Sequence, residues 1–75
     1  MQSQKLHTYI PEVLDRRERQ IICMRYGLGN QPPMTQQTVA EKLNISRSYV
    51  SRLEKRALEK LRARFERADR RRLRP

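Results

Sequence analysis

The chain has one cysteine and one histidine in 75 residues. With Cys23 alone, neither an internal disulfide nor a cysteine-based zinc cluster can form. Cys23 also falls within an apolar-rich run, where a thiol reads as a small packed side chain. His7 stands near the N-terminus with no partner for a metal site or a triad. No serine, cysteine or carboxylate has a base or metal ligand at a recognisable spacing, so the residues argue against an enzyme, a recombinase included, and call for no cofactor. The opening MQSQKLHTYI lacks the apolar core of a signal peptide, and no run approaches the roughly 20 apolar residues of a membrane span. The expected location is the cytoplasm, with no membrane partner.

Acidic residues are also scarce. Eight of them face eighteen lysines and arginines, leaving a net charge of +10. Such a balance points to a polyanion: DNA, RNA or an anionic membrane surface. Residues 1–45 carry six basic and four acidic side chains, and residues 46–75 carry twelve and four. The basic potential therefore begins near Ser46. A chain this short forms one small domain with a limited core, and its apolar residues, 36% of the total, are periodic rather than scattered.

That periodicity is clearest from Thr35 to Leu58, TQQTVAEKLNISRSYVSRLEKRAL. Thr35 is an N-cap candidate, because its hydroxyl can accept from an early backbone N–H. Val39, Ala40 and Leu43 give one apolar face of a helix. Asn44 tolerates positive φ and can end that helix with a left-handed cap. Ile45 plugs the turn and Ser46 offers a second N-cap. Val50, Leu53 and Ala57 then start a new apolar stripe, and small Ala40 permits a close helix crossing. Arg47, Ser48, Ser51, Arg52, Lys55 and Arg56 fall on the opposite face. This is the pattern of a helix-turn-helix, whose second helix enters the DNA major groove; an ordinary helical hairpin with a solvated charged face is the plainer alternative.

Around this motif the chain reads as a small all-α domain. Residues 1–10 are polar and predict a flexible segment, although Leu6, Tyr9, Ile10, Val13 and Leu14 could form a short helix or a lid, with Pro11 at a first helical position. Asp15 is a second N-cap candidate, with Glu18 placed to complete a capping box. The helix from Arg16 stops at Gly27, and Ile21, Ile22 and Met24 are core candidates with Leu28 behind them. Gln31–Met34, QPPM, is a stiff link. Leu58, Leu61 and Phe65 extend the second helix of the motif, and DRRRLRP after Ala68 reads as a fraying or disordered basic tail. The expected boundaries are a flexible segment at 1–10, a helix-turn-helix domain at 11–66 and a tail at 67–75.

LDRRERQIICMRYGLG followed by TQQTVAEKLNISRSYVSRLEKRALEKLR is similar to region 4, the C-terminal DNA-binding domain, of bacterial sigma factors, and most closely resembles the sporulation-type members. The resemblance spans roughly residues 11–65. It implies a compact helical fold that recognises the promoter −35 element in double-stranded DNA. It also implies docking on the flap of the RNA polymerase β subunit, and an anti-sigma factor as a further partner. Asn44 stands where glycine often fills the turn, a mild departure. The sigma segments that bind the polymerase clamp and melt the −10 element have no counterpart, so the chain is expected to be an excised domain or a short reading frame that does not initiate transcription alone.

Base reading is expected from Arg47, Ser48, Ser51 and Arg52, with each arginine able to pair bidentately with a guanine O6/N7 edge. Phosphate contacts are expected from Arg25, Thr35, Gln36, Tyr49, Lys55 and Arg56; Tyr49 could instead touch a thymine methyl or lie half buried against the first helix. Glu54 is expected to pair within its own helix with Arg47, Lys55 or Arg62. Val13, Leu14, Ile22 and Met24 are candidates for a flap-binding groove, with membership of the core as the competing account. Two rival functions remain open on sequence: a generic helix-turn-helix regulator, and a polymerase or anti-sigma interaction module that does not read bases.

Overall fold

The computed structural model describes the backbone of residues 3–73 and the side chains of residues 7–70. Four helices follow one another: α1 (Ser3–Val13), α2 (Arg16–Tyr26), α3 (Gln36–Leu43) and α4 (Arg47–Leu73). No strand occurs among the described residues, in agreement with the all-α expectation.

The boundaries follow from local chemistry. Asp15 caps α2 through a reciprocal pair, its Oδ1 accepting from the Glu18 N–H at 2.8 Å and Glu18 Oε1 accepting from the Asp15 N–H at 2.9 Å. Gly27 ends α2 at φ +69°, and a Cβ there would lie 2.8 Å from the Gln31 carbonyl oxygen and 2.9 Å from Pro33 atoms. Only glycine satisfies both the backbone angle and the space. The QPPM link then turns back on α2, with the Met34 N–H bonded to the Met24 carbonyl at 2.9 Å.

Two apolar clusters, both built on α4, hold the helices. Val50 and Leu53 meet Ile21, Val39 and Ala40 in one. Ala57 and Leu61 meet Tyr9, Ile10, Leu14 and Ile22 in the other, flanked by Val13, Leu28, Phe65 and Ala68. Each fully buried aliphatic side chain contributes about 1.5–3 kcal/mol, so α4 is the element on which the other three depend.

Three expectations change here. Residues 1–10 read as polar and flexible, yet α1 begins at Ser3, and Tyr9 and Ile10 are buried. The reason is the i, i+1, i+4, i+5 stripe of Tyr9, Ile10, Val13 and Leu14, which a window average conceals. Pro11 sits in the last turn of α1 rather than its first; Met1 and Gln2 lie outside the described residues. At the other end, α4 continues to Leu73 where a tail was expected from residue 67. Ala68 packs on the core, and Phe65 meets the Tyr9 ring edge-on at 4.9 Å. The Arg64 Nε donates to both Glu12 oxygens at 3.0 and 3.1 Å, with its guanidinium 4.3 Å from the Tyr9 ring centre. Leu58, Leu61 and Phe65 lie on α4 as expected, although Leu58 is 37% exposed. The stripe is carried by Leu53, Ala57 and Leu61, and Leu58 falls on its flank.

Candidate nucleic-acid interface

The turn between α3 and α4 is built as its residues suggest. Thr35 Oγ1 accepts from the Thr38 N–H at 3.1 Å and caps α3. Asn44 adopts the left-handed conformation at φ 56°, and the Ile45 N–H returns to the Ala40 carbonyl at 3.0 Å. Ser46 Oγ accepts from the Tyr49 N–H at 3.1 Å, capping α4. With Ala40, Val39, Val50 and Leu53 buried between them, the two helices are fixed relative to each other.

This geometry turns Arg47, Ser48, Ser51, Arg52 and Lys55 outward, and all five are exposed. Gln36, Arg47, Ser48, Ser51 and Arg52 line a shallow cleft of about 440 Å³ across the first turns of α4. Its two arginines make it cationic, and its serines are short side chains. Arg25, Thr35, Gln36, Gln37 and Arg47 line a neighbouring cleft at the start of α3. Tyr49 is exposed, with the Arg52 guanidinium 5.8 Å from its ring centre. The two clefts adjoin, since both are lined by Gln36 and Arg47.

Behind that surface, two buried carboxylates join the helices; Glu18 completes the expected capping box and adds cross-helix partners, whereas Glu54 corrects the sequence reading. Glu54 is 6% exposed and bonds other helices rather than its own. Its Oε1 accepts from Arg25 Nε at 2.7 Å and Gln36 Nε2 at 3.1 Å, and its Oε2 from the Tyr26 hydroxyl at 2.9 Å. Burial alone would raise the Glu54 carboxyl, but the bonds from Arg25, Gln36 and Tyr26 outweigh it and hold the group below its ordinary value. Burial, followed by the bond to Glu54, pushes the Tyr26 hydroxyl up. Arg25 also donates from Nη1 to the Met34 carbonyl at 2.6 Å. Much of the guanidinium expected on a phosphate is thus engaged inside the protein.

Glu18 is 0% exposed. Besides the capping box it accepts from Lys60 Nζ at 2.8 Å and Arg56 Nε at 3.1 Å. Arg56, expected on a phosphate, gives its Nε to Glu18 at the start of α2 and remains largely exposed. The Asp15 carboxyl lies below its ordinary value, chiefly because it accepts the Glu18 N–H. The signal for both carboxylates was present in the spacing. Glu54 follows Val50 by four residues, and Glu18 precedes Ile21 and Ile22 by three and four, so each lies on a buried face.

The expected flap-binding groove is not open as drawn. Leu14 and Ile22 are 5% and 2% exposed and belong to the core. Val13 and Met24 are half-buried, each packed on a different cluster.

The model of the family described as Sigma-70, region 4 matches residues 12–63. The RNA polymerase sigma-28 factor of Bacillus thuringiensis subsp. kurstaki is 49% identical over 69 residues, covering 92% of this chain and 29% of that protein. The RNA polymerase sigma-K factor of Bacillus subtilis (strain 168) is 48% identical over 69 residues, covering 92% of this chain and 23% of its own length. The RNA polymerase sigma-E factor of Clostridium acetobutylicum is 50% identical over 48 residues, 64% of this chain and 20% of the relative. The chain spans less than a third of the length of these curated relatives. No solved structure gives a significant match.

Proposed function

Because the chain belongs to the sigma-70 region 4 family, we propose that it recognises the −35 element of promoters and acts with bacterial RNA polymerase in transcription initiation. The observation that carries this reading is the exposed quartet Arg47, Ser48, Ser51 and Arg52 on the first turns of α4. Arginines separated by serines let the helix approach a base edge closely while presenting two planar donor forks. Arg47, Arg52 and Lys55 carry no ion pair among the described residues. Their charge is available to DNA.

Around the quartet, Lys55 serves a phosphate, and the start of α3 at Thr35 and Gln36 serves another through the N–H groups of a helix N-terminus. Arg25 acts through its remaining nitrogen, Nη2, at the rim of the cleft it shares with Thr35 and Arg47. Tyr49 touches the backbone beside Arg52. Arg56 reaches a phosphate through its terminal nitrogens, since Glu18 takes only its Nε.

The polymerase surface is proposed to be the β-subunit flap, meeting the domain where Val13 and Met24 come nearest the exterior; an anti-sigma factor would compete at the same place. Transcription sets the cytoplasm as the location, and no described helix is long and apolar enough to cross a membrane.

The test is a titration against a duplex bearing a −35-type sequence and a scrambled one, at two salt concentrations. A preference for the first that survives the higher salt supports base reading. Equal affinities that vanish together with salt, at about 0.9 log units per decade for each phosphate neutralised, identify a polyelectrolyte effect only. That outcome would leave the polymerase as the main partner.

A further inference from the structure

Gln36 lines each of three adjoining clefts: one with Arg47, Ser48, Ser51 and Arg52, one with Arg25, Thr35, Gln37 and Arg47, and one with Ser51, Glu54, Lys55 and Leu58. Its side-chain amide is not free to rotate between these clefts. An ionised carboxylate accepts hydrogen bonds and donates none, and Glu54 Oε1 stands 3.1 Å from Gln36 Nε2. The amide nitrogen must therefore face Glu54, so the carbonyl oxygen Oε1 faces away from it. Glu54 is itself fixed by Arg25 at 2.7 Å and Tyr26 at 2.9 Å, so it offers the amide a rigid anchor.

The orientation decides what Gln36 can recognise. A phosphate needs donors, and a carbonyl oxygen turned outward repels it. Of the two amide hydrogens, one is taken by Glu54, and a single N–H remains beside the outward oxygen. An acceptor next to a donor is the complement of adenine in the major groove, where the N6 amino group lies beside N7. The serines at 48 and 51 leave space for a base edge next to that pair.

We infer that the Gln36 side chain is a further sequence-reading group of this domain, selecting adenine through its major-groove edge while Glu54 holds its amide in the required orientation. The inference rests on the reading of α4 as a base-contacting helix. The main chain at the start of α3 keeps its phosphate role, and the side chain adds a base contact from outside the recognition helix. Glu54 acts as a positioning residue for it.

The experiment is a selection from a randomised duplex library with the full chain, run on the wild type, Gln36→Ala and Gln36→Lys, with Arg52→Ala as a control. Thermal melts of each protein establish that it is folded. The wild type is expected to enrich adenine at one position by about tenfold over other bases. Gln36→Ala loses that preference and keeps the rest of the motif. Gln36→Lys, which can only donate, shifts the position to guanine. Should all three select one motif, whatever their affinities, Gln36 reads no base and the inference fails, while an altered Arg52→Ala motif shows that base reading by α4 stands. A wild type that selects no motif removes the −35 reading itself, and this inference with it.

Discussion

At the residue scale, the stability of the site depends on a few groups that have no equivalent replacement. Gly27 combines positive φ with backbone atoms under 3 Å from any added Cβ. Gly27→Ala is expected to cost on the order of 1–3 kcal/mol, from conformational strain alone, read as a lower melting temperature. Gly29 also has positive φ, at +77°, but nothing lies within 4 Å of a Cβ there. The same substitution at Gly29 should therefore be milder. Glu54 and Asp15 set the acid limit. Both folded carboxyls lie below their ordinary values of 4.5 and 3.8. Their contribution is complete above those values and is lost as pH falls through the lower folded ones. Melting temperature is thus expected to hold on mild acidification from neutrality and to drop below about pH 4.5. In Glu54→Gln the acid drop should be shallower, since one of the two groups no longer titrates. An equally steep drop would assign the acid sensitivity elsewhere.

At the scale of elements, capping chemistry was legible from the residues. Asp15 with Glu18, Thr35, Asn44, Ser46 and Gly27 each do what their side chains or backbone freedom suggest, because a cap is a local interaction spanning three or four residues. Cross-helix partners were not legible. Glu18 and Glu54 have basic neighbours within their own sequence stretch, and only the packing of α2 and α3 on α4 brings Arg56, Lys60, Arg25 and Tyr26 to them. The first helix was legible only as an alternative to a flexible segment, because its apolar stripe of Tyr9, Ile10, Val13 and Leu14 makes sense only against the distal half of α4. The Tyr9–Phe65 contact and the Arg64–Glu12 pair join these two segments, 52 residues apart for the latter. Tyr9→Ala is expected to destabilise the domain by about 3–5 kcal/mol, in the range of buried aromatic truncations. Denaturant unfolding would check it, and a change below 1 kcal/mol would mean that α1 is peripheral.

For the molecule as a whole, one long helix does two things. The outer face of the first turns of α4 carries Arg47, Ser48, Ser51 and Arg52, and its inner face, from Val50 to Ala68, collects the other three helices around two apolar clusters. Burial of Leu14 and Ile22 shows how far a domain of this size must spend its apolar residues on its own core, and why a groove read from sequence at those positions closed up. The basic excess remains on the surface, and DNA affinity should fall steeply with salt for the wild type. On the proposed function, Arg52 reads bases whereas Lys55 only meets the backbone.

The measurement that tests this most directly compares Arg52→Ala and Lys55→Ala with the wild type on a −35-type duplex and a scrambled one, across a salt series. Arg52→Ala is expected to lose about 1–3 kcal/mol of discrimination between the duplexes. Lys55→Ala should weaken both duplexes alike and lower the salt slope by about one. If Arg52→Ala instead weakened both duplexes equally and left their ratio unchanged, the outer face of α4 would be a phosphate-binding surface and the account of base reading would be wrong.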